Sequence, residues 1–108
     1  MSDSSVIVVG GGIAGLTAAA LLARDGVKVT LLEAHQQPGG CAGTFRRGPW
    51  VFDVGATQVA GLEPGGSHAR LLKHLDMPLP SAELLDPGCV VDPVSYTHLT
   101  LPTKCWVL

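Results

Sequence analysis

Near its start the chain carries four consecutive β-branched residues, Val6-Ile7-Val8-Val9, closed by glycine. An unbroken apolar run of this kind predicts a strand buried on both faces, as in a parallel sheet. Ile13 to Arg24 follows, rich in Ala and Leu, which are strong helix formers. Arg24 puts a positive charge in the last turn, and Gly26 supplies the C-cap that stops the helix. Val27 to Leu32 predicts a second strand, ending at Glu33. Strand, helix and strand within about thirty residues make a βαβ unit, so the fold class is α/β.

Beyond Glu33 the periodicity is weaker. Ala34 to Thr44 reads as a loop with Pro38-Gly39-Gly40 as its turn. Thr44 to Arg47 and Trp50 to Val54 predict short strands around Gly48-Pro49. Ser67 to Leu75 predicts a short helix, with Ser67 or Gly66 as N-cap and Leu71, Leu72 and Leu75 on one face. After Met77 the chain is rich in proline and predicted to be irregular. Residues 93–108 match poorly with what precedes them. Val94 to Leu101 alternates and carries β formers, as an edge strand would. The run Val94 to Lys104, however, resembles the translated adapter sequence found at broken ends of shotgun-sequenced reading frames, so the tail is expected to be non-native.

Composition narrows the function. A chain of 108 residues allows one domain, and 46% apolar against 15% charged residues supports a packed core over disorder. The net charge of −2, without a basic block, argues against nucleic acid as a partner. Cys41, Cys89 and Cys105 form no CxxC pair. They read as reduced thiols in a cytoplasmic setting, and the four histidines show no metal spacing, so no metal site is expected. The charge-free stretch from Val6 to Ala23 nears the length of a membrane span. Glycines at 10, 11, 12 and 15 interrupt it, and an acid precedes it where a signal peptide needs a base.

The candidate chemistry lies in those glycines. Gly10-Gly11-Gly12-Ile13-Ala14-Gly15 matches GxGxxG between a strand and a helix. Gly10 permits the tight turn, Gly12 lets backbone approach a pyrophosphate, and Gly15 lets helix and strand pack closely. The helix N-terminus, with Ile13 and Ala14 in its first turn, then faces the phosphate charge. Glu33, about twenty residues further on, suits the ribose hydroxyls of an adenosine and would repel a 2′-phosphate. The βαβ unit leaves FAD against NAD open, because both carry the same ADP half.

The block from Glu33 to Phe45, with Pro38-Gly39-Gly40-Cys41, resembles the FAD-dependent amine oxidase and phytoene desaturase superfamily. Trp50 to Thr57 looks like the FD-x-G segment of carotenoid desaturases and isomerases. Gly55 to Gly66 looks closest to the C-3′,4′ desaturase subgroup. The resemblance covers Val6 to Asp92. It implies a truncated N-terminal βαβ portion of a Rossmann-like FAD-binding domain in residues 1–92, with residues 93–108 as a separate tail. It also implies that Gly39, Gly40 and Thr44 lie beside the diphosphate and ribityl parts of FAD, with Ala34 and Cys41 among the cofactor-binding residues. Asp53, Gly55 and Ala56 would approach the flavin. Many relatives carry Arg where Cys41 stands, and this departure favours carotenoid enzymes over amine oxidases.

No residue reads as a general base or nucleophile, so the catalytic residues are unassigned; in such desaturases the flavin takes the electrons. The resemblance implies a carotenoid polyene as substrate and peripheral membrane association. An amine or protoporphyrinogen oxidase-type flavoprotein and an inactive nucleotide-binding fragment are the alternatives. Two secure parallel strands do not make a stable sheet. The 108-residue chain alone is therefore expected to be inactive, and to aggregate or bind FAD weakly.

Overall fold

The computed structural model describes residues 4–88 and the backbone of residues 105–107. They fall into two compact units, residues 1–56 and 57–108.

In the first unit, β1 (Ser5–Val9) pairs in parallel with β2 (Lys28–Leu32). Parallel neighbours need a crossover, supplied here by α1 (Ile13–Arg24). Val6 lies opposite Val29 and Val8 opposite Leu31. The ladder extends one step past β1, where the Gly10 N–H donates to the Leu32 carbonyl at 2.7 Å. Helix α1 ends where the sequence predicts. Gly26 adopts φ +84°, its N–H donates to the Ala23 carbonyl, and the Val27 N–H donates to the Leu22 carbonyl at 3.0 Å. This pair of bonds is a Schellman motif. It takes up the Val27 amide, so β2 begins at Lys28 rather than at Val27.

The expectation of a strand buried on both faces is corrected. Val6, Val8, Val29 and Leu31 are half-buried, while Ile7 is 65% and Val9 81% exposed. Side chains alternate across a strand, and α1 covers one face of the pair only. The uniform apolar run therefore concealed two different environments.

Strands β3 (Thr44–Arg47) and β4 (Trp50–Asp53) form an antiparallel hairpin around Gly48-Pro49. Phe45 lies opposite Phe52, and their rings stack with centroids 5.4 Å apart. β4 stops at Asp53 because the Val54 N–H turns to the Gly43 carbonyl, at 2.9 Å. A single 3-10 turn, Gly40–Ala42, leads into the hairpin.

The second unit contains α2 (Ser67–His74), with Gly66 as its N-cap residue. Leu75 is its C-cap, and the Met77 N–H donates to the Leu72 carbonyl at 2.9 Å. Leu62, in the turn before α2, is the buried apolar side chain among the described residues. The segment after Met77 is not irregular throughout. β5 (Glu83–Leu85) pairs antiparallel with β6 (Cys105–Val107). Three-residue strands whose partners lie far along the chain leave no local periodicity to detect. The expected non-native tail lies outside the described residues at 93–104 and 108, and only the backbone of its Cys105–Val107 is described.

Candidate functional site

The site is built where β1 and β2 both end. Gly12 is the N-cap residue of α1, and no side chain caps the helix or places an acid in its first turn, Ile13 and Ala14 included. The first amides of α1 thus keep their hydrogen-bonding capacity and the positive end of the helix dipole. A Cβ at Gly15 would lie within bonding distance of the Gly10 carbonyl oxygen, far inside van der Waals contact. Gly15 is therefore demanded by the protein's own packing. A Cβ at Gly12 would meet nothing closer than the Gly40 Cα at 3.9 Å. The fold itself does not require glycine at position 12, which suits a position reserved for a close-lying ligand.

Glu33 ties the end of β2 to this loop. The Gly11 N–H donates to its Oε2 at 2.5 Å, and the His35 N–H donates to its Oε1 at 2.8 Å. The His35 amide, then the Gly11 amide, hold the Glu33 carboxyl below the usual carboxylate range. Each oxygen accepts one backbone bond and keeps a further lone pair for a ribose hydroxyl.

The second glycine pair sits against the first. The Gly39 N–H donates to the Gly11 carbonyl at 2.7 Å, and Gly39 forms a parallel bridge with Gly12. Gly39 adopts φ +127° and Gly40 φ +56°, conformations that side-chain-bearing residues rarely hold. The hairpin closes the arrangement. The Ala56 N–H donates to the Cys41 carbonyl at 2.8 Å, Gly55 lies beside the same carbonyl, and Thr44 is paired with Asp53. Gly10, Gly12, Gly15, Glu33, Gly39, Gly40, Cys41, Thr44, Asp53, Gly55 and Ala56 thus belong to one unit of connected loops. Ala34 sits in the bend after Glu33 and is exposed; Cys41 is an exposed free thiol.

An open cleft of about 690 Å3 adjoins the second glycine pair. It is lined by His35, Gln36, Gln37, Pro38, Gly40, Cys41, Gly43, Thr44, Phe45, Arg46 and Val54. Sequence reasoning passed over Gly11, the His35 amide and Arg46. Backbone donors carry no side-chain signature. Arg46 gains its position only when β3 folds back beside the glycine turn. Among the described residues, no cluster of His, Cys, Asp or Glu is arranged to hold a metal, and no helix is long and apolar enough to cross a membrane.

A βαβ unit with an uncapped helix N-terminus, a glycine loop and an acid at the end of the second strand defines a dinucleotide-binding module. The profile of the NAD(P)-binding Rossmann-like domain matches residues 8–75, and the chain belongs to that family. It is 36% identical over 109 residues to a chloroplastic prolycopene isomerase of Daucus carota, a match covering 98% of this chain and 16% of that protein. It is 47% identical over 60 residues to an all-trans-retinol 13,14-reductase of Danio rerio, covering 56% of this chain and 10% of that one. It is 43% identical over 60 residues to the Homo sapiens all-trans-retinol 13,14-reductase, covering 56% and 10% respectively. The chain spans between a tenth and a sixth of the length of these relatives.

Proposed function

We propose that this module binds FAD in an oxidoreductase that desaturates or isomerises carotenoids. The observation that carries the dinucleotide part is the assembly of Gly12, the α1 N-terminus, Glu33 and the Gly39-Gly40 turn into one cradle. The open approach to Gly12 and the unused amides of α1 fit a diphosphate. Glu33, free to accept more hydrogen bonds, fits the adenosine ribose. FAD bound in this way supplies a flavin able to accept an electron pair from an apolar substrate. The residues described here bind and orient it; Asp53, Gly55 and Ala56 stand where the hairpin meets the glycine turn.

The substrate class is supported by the relatives, whose names refer to prolycopene and to retinol, both conjugated polyenes. A substrate of that kind resides in lipid, which supports peripheral membrane association of a cytoplasmic protein. The 108-residue chain alone is inactive in this reading, because it spans only a tenth to a sixth of the length of these relatives.

The test is to incubate the complete protein that carries this module with FAD and with a panel of carotenes, and to follow double-bond number and geometry by chromatography. A changed polyene is expected. Stoichiometric bound FAD with every carotene unchanged would overturn the carotenoid assignment, and peroxide release from an amine would place the protein among the amine oxidases instead.

A further inference from the structure

We propose that Arg46 is a phosphate-binding residue, its guanidinium holding a phosphate group in the cleft beside the Gly39-Gly40 turn. The proposal rests on the dinucleotide reading and deepens it by assigning a side chain to the anion.

The two arginines of β3 are differently engaged. Arg47 lies over the Phe45 ring, 5.9 Å from its centroid. Arg46 makes no ion pair, hydrogen bond or ring contact among the described residues. Its cross-strand neighbour is Val51, which offers no charge. Asp53 is diagonal to it in the hairpin, yet does not line the cleft and forms no ion pair with it. Arg46 shares a face of β3 with Thr44, and both line the cleft together with Phe45.

The composition of the cleft wall favours an anion. It contains no Asp or Glu, while Arg46, the carboxamides of Gln36 and Gln37 and the Thr44 hydroxyl all offer donors. A guanidinium matches a phosphate with two parallel N–H bonds, and no carboxylate in the cleft wall competes for Arg46. The cleft and the glycine cradle share Gly40, which lines the cleft and whose added Cβ would lie 3.1 Å from the Gly12 Cα. The diphosphate of a dinucleotide presents that phosphate chemistry, whereas Glu33 disfavours a 2′-phosphate on the ribose.

The experiment is equilibrium dialysis of the complete protein that carries this module, freed of cofactor, against adenosine, ADP and adenosine 2′,5′-bisphosphate. Arg46→Gln is expected to weaken ADP binding about tenfold, Arg46→Lys less, with adenosine binding and the circular dichroism spectrum unchanged. Arg47→Gln is expected to bind all three as the parent does. A larger loss with ADP assigns the diphosphate, and a larger loss with the bisphosphate overturns that assignment. The unmutated chain gives an independent readout: phenylglyoxal labelling, mapped by mass spectrometry, should show Arg46 protected by the phosphate ligand and Arg47 not. Equal binding by Arg46→Gln, equal loss of adenosine, or an unprotected Arg46 overturns the role of Arg46 while leaving the dinucleotide reading in place. A parent chain that binds neither adenosine nor ADP overturns both.

Discussion

Glu33 and Gly11 stand at the ends of different segments, yet a 2.5 Å hydrogen bond joins the carboxylate of one to the amide of the other. With the His35 amide on its second oxygen, Glu33 holds the glycine loop against the end of β2. Its carboxyl is held below the ordinary carboxylate value, so the ionised form is the one the folded loop favours. That stabilisation is complete above the ordinary carboxylate range and is lost as pH falls through the lowered value. Adenosine affinity, measured as a pH profile, is therefore expected to fall in acid. Glu33→Gln should weaken adenosine binding about tenfold at neutral pH and flatten the acid limb.

Gly12 and Gly15 separate ligand binding from folding. Gly15→Ala drives a methyl into the Gly10 carbonyl and should cost about 3 kcal/mol of stability in urea unfolding. Gly12→Ala has room within the protein and should change stability by less than about 1 kcal/mol. The same Gly12 substitution should reduce ADP affinity more than about tenfold, because its methyl would stand where the phosphate approaches. Parent-like ADP affinity in Gly12→Ala would remove the phosphate from that position.

The uncovered face of β1 and β2 carries Ile7, Val9 and Leu32, the last 50% exposed. In the 108-residue chain, Ile7→Thr combined with Val9→Thr should raise the concentration that stays free of aggregates, as followed by light scattering. Stability should shift by about 0.5 kcal/mol or less per site, because little buried contact is lost. A large loss of stability instead would mean that this face is packed against something.

The Phe45–Phe52 stack offers a check on the hairpin. A double-mutant cycle to Ala at both positions should show a coupling of about 1 kcal/mol. Loss of that coupling would mean the β3–β4 register differs from Phe45 opposite Phe52.

What the sequence reveals here is mostly local. Val6 to Val9 marks a strand, Ala-rich Ile13 to Arg24 a helix, and Gly26 its end, because each depends on neighbours along the chain. The GxGxxG spacing and Glu33 are legible because strand, turn and helix follow each other without a gap. The β5–β6 pairing is not legible, since it joins three-residue strands across a long separation. Nor is the exposed face of Ile7 and Val9, because burial depends on what covers a strand rather than on its own composition. The backbone donors to Glu33 are silent for another reason: every residue but proline has an N–H, and only the fold decides which one is aimed. Arg46 is a residue of unremarkable type until the hairpin brings it to the cleft that Gly40 also lines.

The bridge between Gly12 and Gly39 joins the two halves of the cradle. Any molecule that occupies it must bind the closed form and ignore the open chain. Occupancy and loop closure are then two readings of one equilibrium: ligand at a hundredfold excess over its dissociation constant would deepen the folded well by about 2.7 kcal/mol. Among the described residues Leu62 is the buried apolar side chain, so a bound nucleotide would add stability that packing here does not supply.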